Sequence, residues 1–226
     1  MTKVGFINGS PRASGSLSRM MIETFIQELQ LIPENYTICD TRKQSSKADC
    51  SIEYASLLAC DIIVVVTPLY VDSLPSTLLQ FLYGLEEYQA TISPIQSPVL
   101  YSFVNCGFID GFQNCIALNI LEHYAERMNW SYGGGVGLGS GEMFKGMKNT
   151  IPKEAKMLKP LYDAIDTFIT CIVTKASIPT SNKQILVNQD FSQSLFLLAG
   201  SFGWFPQAFA NKVGPIRLFS KPYKLK

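Results

Sequence analysis

Two hydrophobic rhythms alternate along this chain. Short, nearly continuous apolar or β-branched runs occupy residues 4–7, 36–40 (YTICD), 61–70 (DIIVVVTPLY) and 97–107 (SPVLYSFVNCG), with a fifth, glycine-rich run inside 132–142. Between them lie longer stretches in which apolar residues return every third or fourth position: 17–32, 51–60, 73–88, 111–130 and 153–176. Runs of the first kind are strands, and those without polar alternation are strands covered on both faces. Stretches of the second kind are amphipathic helices. Pro33 and Asn35 stop the first helix, and Ser73 reads as the cap of the third, with Pro75 tolerated in its first turn. Five strand–helix pairs imply right-handed crossovers and a doubly wound parallel sheet. The glycines of 132–142 predict that something closely approaches the backbone of the fifth strand.

Residues 177–226 leave this rhythm. The segment 193–214 is aromatic and apolar, interrupted by glycine and proline, which predicts two short helices joined by a kink. Its uninterrupted apolar part is too short to span a membrane. It fits a dimer surface, a lid over a ligand, or a tail packed on the outer helices. The expected division is therefore a sheet domain over 1–176 and a C-terminal extension over 177–226.

In doubly wound sheets ligands gather at the carboxyl ends of the strands, near the point where strand order reverses. Three loops fall there: 9–18, 67–73 and 105–113. The first follows the order in which a backbone builds an anion site: a strand, a small-residue loop, then a helix start. Ser10, Ser14, Ser16 and Ser18 supply hydroxyls and Arg12 a cation. The same residue types are also ordinary turn and N-cap residues. Neither the Gly-Lys-Ser/Thr of a P-loop nor the spaced glycines of a dinucleotide fingerprint is present.

Composition narrows the chemistry. The 226 residues are 47% hydrophobic and 16% charged, with a formal net charge of +1 and no block of like charges, which gives no support to nucleic-acid binding. The N-terminus enters a strand within a few residues, so no signal peptide is expected and the chain reads as cytoplasmic. Six cysteines (39, 50, 60, 106, 115 and 171) form no C-x-x-C pair, and His123 is the single histidine. A protein-held metal is therefore not expected, and the cysteines read as free thiols. His123 reads as an ordinary helix residue near Glu122 and Glu126. No G-x-S-x-G elbow or triad is present, and the adjacent Glu86 and Glu87 point to different sides of a helix.

The loop NGSPRASGSLS (8–18), the segment TPLYVDSLPSTLLQFL (67–82), VNCGFIDGFQNCIAL (104–118) and GGGVGLGSGEMF (133–144) together resemble the flavodoxin-like superfamily, and within it the NAD(P)H-dependent FMN reductases. The resemblance spans about residues 3–175. It implies a five-stranded parallel sheet in the order 2-1-3-4-5 and an FMN cofactor. Ser10, Arg12, Ser16, Leu17 and Ser18 would hold the phosphate, Leu17 through its backbone. Pro68, Leu69, Tyr70 and Val71 would run beside the isoalloxazine. Asn105, Cys106, Gly107 and Phe108 would line its other edge, with Gln113 reaching the ring or ribityl chain. No side chain is assigned a catalytic role, because the flavin carries the chemistry. Cys106 reads as a packing residue unless its thiolate is stabilised. Iron–sulfur relatives carry a compact cysteine cluster where this chain has only the separated Cys39, Cys50 and Cys60, so no cluster is expected. The resemblance further implies NADH or NADPH as hydride donor, a small electron acceptor (quinone, flavin, nitro- or azo-aromatic) or a protein acceptor, and a homodimer or homotetramer. Two alternatives stand beside it: a flavodoxin-type electron carrier, which the charge of +1 does not favour, and a non-catalytic flavin-binding interaction protein.

Overall fold

The computed structural model describes residues 2–47, 49–92, 97–147, 151–188, 190, 192–202, 204–214, 217 and 219, without the side chains of Ala13, Leu195, Ala199 and Gln207. The chain divides into two compact units, residues 1–189 and 190–226.

The first unit opens with β1 (Val4–Asn8) and α1 (Leu17–Glu28), then β2 (Tyr36–Asp40), the single turn α2 (Thr41–Gln44) and α3 (Ser51–Leu58). β3 (Ile62–Pro68) leads to α4 (Ser76–Ala90), and β4 (Val99–Asn105) to α5 (Cys115–Arg127). β5 (Ser131–Leu138) is followed by the short α6 (Gly141–Met147), α7 (Lys159–Thr174) and β6 (Gln184–Val187). All strands pair in parallel, in the order β2-β1-β3-β4-β5-β6.

The expected five-stranded sheet is thus corrected to six strands. β6 pairs Gly135–Leu138 with Gln184–Val187 and lies within the stretch that the sequence set apart as an extension, so the first unit runs to residue 189. A four-residue edge strand in a polar stretch has too few positions to show a period.

Alternate strand positions feed two cores. Phe6, Val64, Val66, Phe103 and Val136 face α1 and α7, whereas Ile7, Ile63, Val65, Leu100 and Val104 face α3, α4 and α5. This period of two on a sheet covered on both faces explains the unbroken apolar runs. Phe168 of α7 lies at the centre of the first core, its ring 5.3 Å from Phe25, 5.9 Å from Tyr101 and 6.4 Å from Phe103.

The glycines of β5 are explained by their neighbours in the fold. A Cβ at Gly133 would lie 2.3 Å from the Tyr101 ring. That ring needs the space because its hydroxyl sits 2.8 Å from the carbonyls of Cys171 and Ala176, which closes the end of α7. Ser73 does not cap α4, whose N-cap is Pro75; its backbone pairs with Tyr70 instead. The second unit contains α8 (Gln193–Phe202) and α9 (Trp204–Ala210), the two short helices that the aromatic segment predicts. Gly203, at the expected kink, lies outside the described residues. Among the described residues no helix is long and apolar enough to cross a membrane.

Candidate functional site

The strand register brings Asn8, Asp40, Pro68, Asn105 and Leu138 to one edge of the sheet. β1 lies between β2 and β3, so the chain leaves β1 to one side and returns on the other. This is the switch point, where a crevice opens between diverging loops.

The first loop is tied down at both ends. Asn8 Nδ2 donates to Asp40 Oδ1 at 2.6 Å, and Asn8 Oδ1 accepts from the Ser10 amide at 3.2 Å. Ser10 Oγ accepts from the Arg12 amide at 3.3 Å. Gly9 passes against β3 so tightly that a Cβ would lie 2.6 Å from Thr67 Oγ1. Ser16 caps α1, its Oγ accepting from the Arg19 amide at 3.0 Å. The positive end of a twelve-residue helix therefore meets a loop of hydroxyls.

The second loop is a tight reversal. Tyr70 and Ser73 exchange backbone hydrogen bonds of 2.9 and 3.0 Å, and Val71 and Asp72 between them have φ of 49° and 58°. Two successive left-handed residues define a type I′ turn, a conformation that glycine and asparagine adopt without penalty. A β-branched residue there is strained by about 1–3 kcal/mol. Val71 is also 98% exposed, so packing does not compensate. Val71→Asn is expected to raise stability by about 1 kcal/mol, read as a higher urea midpoint with unchanged slope. A lower midpoint would mean that valine is not strained at this position.

The third loop is anchored by Asn105. Its Nδ2 lies 3.0 Å from the Thr67 carbonyl and 3.3 Å from Ser18 Oγ, so one buried amide touches both other elements of the crevice. The Leu69 amide donates to the Asn105 carbonyl at 2.7 Å. Behind Asn105, Asn114 Nδ2 reaches Gly111 O at 3.0 Å, Leu138 O at 3.2 Å and Cys106 Sγ at 3.5 Å. Burial pushes the Cys106 thiol up. Its Sγ lies 3.7 Å from Phe108 O and from Asp110 O, in an environment that disfavours the thiolate.

Together these loops enclose a cleft of about 220 Å³. Ser10, Arg12, Ser16, Leu17, Ser18, Pro68, Leu69, Tyr70, Asn105, Cys106 and Gly107 line it, all of them singled out from the sequence. Val71, Phe108 and Gln113 do not line it; Val71 and Phe108 are 98% and 59% exposed, and Gln113 also faces solvent. Glu142, from the first turn of α6, lines it without having been anticipated. Its Oε1 accepts from Arg12 Nη1 at 2.6 Å, with both side chains about 60% exposed. Three residues on, Lys145 Nζ donates to the Gly15 carbonyl, so α6 grips the loop at two points. In the sequence Glu142 lies inside GGGVGLGSGEMF (133–144), where the resemblance assigns it no role.

The cleft has one polar, donor-rich end and one apolar end formed by Pro68, Leu69 and Tyr70. Such a surface suits a ligand with an anionic group at one end and a flat, largely apolar body at the other. The donor set fits the phosphate of FMN: serine hydroxyls, a guanidinium and a helix N-terminus. Its enclosed volume is small for a wholly buried cofactor, so a ligand of that size would keep part of its body in solvent.

A larger cavity of about 360 Å³ is lined by Gln44, Lys47, Asp49 and Cys50, by Tyr54 of α3, and by Gln80, Phe81, Gly84, Glu87 and Tyr88 of α4. It receives no residue from the three loops at the carboxyl edge. Its thiol, Cys50, is also pushed up by burial. Away from the cleft, His123 is exposed and pairs with Glu126 at 3.0 Å. Among the described residues no group of three or more His, Cys, Asp or Glu side chains is placed to hold a metal ion.

The order of the strands, the switch-point cleft and the loop-to-helix cradle define a flavodoxin-like fold. Residues 2–83 match the family model described as "Flavodoxin-like fold". Among solved structures, an NADPH-quinone reductase from P. pentosaceus superposes with a TM-score of 0.51 at 17% identity, over 78% of this chain and 98% of that one. An FMN-dependent NADH-azoreductase from Bacillus anthracis, solved in complex with FMN, gives 0.49 at 13% identity, over 76% and 99%. The Trp repressor binding protein of Bacillus subtilis gives 0.45 at 20% identity, over 61% and 83%. At 17% identity the likeness to the first of these establishes the fold and not the chemistry. No curated protein sequence matches the chain.

Proposed function

We propose that this protein is an FMN-dependent oxidoreductase of the NAD(P)H-dependent FMN reductase kind, taking a hydride from NADH or NADPH and passing electrons to a small acceptor. The observation that carries this reading is the division of one cleft into a hydroxyl- and guanidinium-lined end and a Pro-Leu-Tyr end, at the switch point of a flavodoxin-like sheet. A solved structure sharing this fold over nearly its whole length is described as an NADPH-quinone reductase, which supports the same reading.

FMN, when bound, supplies the hydride-accepting ring, so the protein need not provide acid–base groups. Ser10, Ser16, Ser18, Arg12 and the Leu17 backbone would hold the phosphate. Pro68, Leu69 and Tyr70 would provide an apolar wall for the ring. Asn105, Cys106 and Gly107 bound the opposite edge, the buried thiol of Cys106 acting as a packing group. Tyr70, at the apolar end of the cleft, is 43% exposed, so that end would leave room for a second planar reactant. Donor and acceptor would use that space in turn, and positioning would supply most of the rate effect.

The test is an anaerobic absorption spectrum of the protein reconstituted with FMN, before and after adding NADPH and then NADH. Loss of the flavin band within seconds with either nucleotide is the expected result and identifies the donor. A flavin band that bleaches with dithionite but with neither nucleotide would replace the reductase by an electron carrier. Absence of any bound flavin would remove the cofactor assignment.

A further inference from the structure

We propose that the second unit is a peripheral membrane-binding element that lies in the interface of an anionic lipid bilayer. The proposal does not depend on the flavin reading, because it rests on a different part of the chain. Residues 191–226 contain no Asp or Glu and five Lys and Arg (212, 217, 221, 224 and 226). Residues 1–190 contain 14 Lys and Arg against 18 Asp and Glu, a net charge of −4. The near-neutral total therefore hides a segregation of charge, and its cationic part directly follows the aromatic segment.

In that segment α8 and α9 expose large apolar side chains instead of burying them. Leu197, Leu198, Phe202, Trp204 and Phe209 are 55–64% exposed. From Phe191 to Asn211 there is no charged residue at all, and the cations follow directly. Apolar surface carrying Leu, Phe and Trp, adjoining a run of Lys and Arg, is the composition of segments that lie in the headgroup region of a bilayer. Helices of ten and seven residues cannot cross one.

Charge selects this occupant over a second copy of the chain. A symmetric dimer through these helices would bring together two units of net charge +4 each, Asp190 included, and like charges oppose such an interface. An anionic leaflet offers the complement to both features, a negative surface for the cations and an apolar interior for the leucines and aromatics. The negative charge of residues 1–190 would be repelled from such a surface, so the attraction must come from residues 191–226.

The test is cosedimentation of the full chain with phosphatidylcholine vesicles and with vesicles containing about 30% phosphatidylserine. Binding is expected to be about tenfold tighter to the anionic vesicles and to weaken several-fold when salt is raised to about 0.5 M. Trp204 should shift its emission to the blue on binding, while Trp130, buried between α5 and β5, should not respond. Leu198→Ser with Trp204→Ser should weaken binding to anionic vesicles at least about tenfold. Lys221→Gln with Lys224→Gln and Lys226→Gln, which alters no apolar side chain, should remove most of the preference for phosphatidylserine while leaving the far-UV spectrum unchanged. The proposal is overturned if the wild-type chain stays in the supernatant with phosphatidylserine vesicles, or if pelleting ignores both sets of substitutions. A chain that does not pellet and instead forms a dimer disrupted by Leu198→Ser with Trp204→Ser would assign the surface to self-association and equally overturn it.

Discussion

Arg12→Ala is expected to weaken FMN binding by about 1.5–3 kcal/mol, roughly 10- to 150-fold, the range for loss of a charge-assisted hydrogen bond. Because Arg12 is about 60% exposed, solvent screening places the value toward the lower end. Two effects act in the same direction. The phosphate loses a donor, and Glu142, no longer paired with Arg12, faces the anion directly. Glu142→Gln should act oppositely and modestly, strengthening FMN binding a few-fold, since an exposed ion pair contributes only about 0–1 kcal/mol. Titration of flavin fluorescence measures both, and riboflavin provides the control: it lacks the phosphate, so its affinity should be insensitive to either change. An unchanged FMN affinity in Arg12→Ala would place the phosphate elsewhere.

The second large effect lies in the core. Phe168→Ala should cost about 3–5 kcal/mol of stability, the range for deleting a fully buried aromatic ring. Phe168 has no exposed surface, and Phe25, Tyr101 and Phe103 surround it from α1 and β4. These neighbours belong to the sheet and to a second helix, so they cannot collapse far into the cavity without disturbing β4, whose end supplies Asn105. Urea unfolding should show a lower midpoint with an unchanged slope. A loss below about 1.5 kcal/mol would mean that the cavity refills.

The sequence made the alternation of strands and helices legible because it is carried by dense, repeated signals. β3, with three consecutive valines, could hardly be anything but a covered strand. The three carboxyl-edge loops could be read for a related reason: topology alone fixes the edge on which they fall, and their residue types are unusual. Eleven residues from them meet in one cleft. Val71, Phe108 and Gln113 belong to the same loops but turn outward, because a loop's position is set by topology whereas a side chain's direction is set by local φ and ψ. Val71 shows this plainly, since its φ of 49° could not be inferred for a β-branched residue. Glu142 was invisible for another reason. It reaches Arg12 from 130 residues away, and only the pairing of β5 beside β4 brings α6 to the first loop. β6 was lost because four residues at an edge carry too little pattern. Ser73 sits where the sequence places a cap, but a turn holds its backbone instead.

The side-chain amide of Asn105 touches the Thr67 carbonyl and Ser18 Oγ, while the backbone carbonyl of the same residue accepts from the Leu69 amide, and this joining has a thermodynamic consequence. Walls joined in this way are ordered when the chain folds, so the entropy of arranging them is charged to folding and not to ligand capture. Binding heat and heat-capacity change should therefore report mainly desolvation of the cleft and the ligand, with little contribution from loop ordering. Asn105→Ala removes the two side-chain contacts and leaves the backbone bond to Leu69 in place, so part of that entropy would move to the binding step and affinity would fall even for ligand atoms that Asn105 never meets.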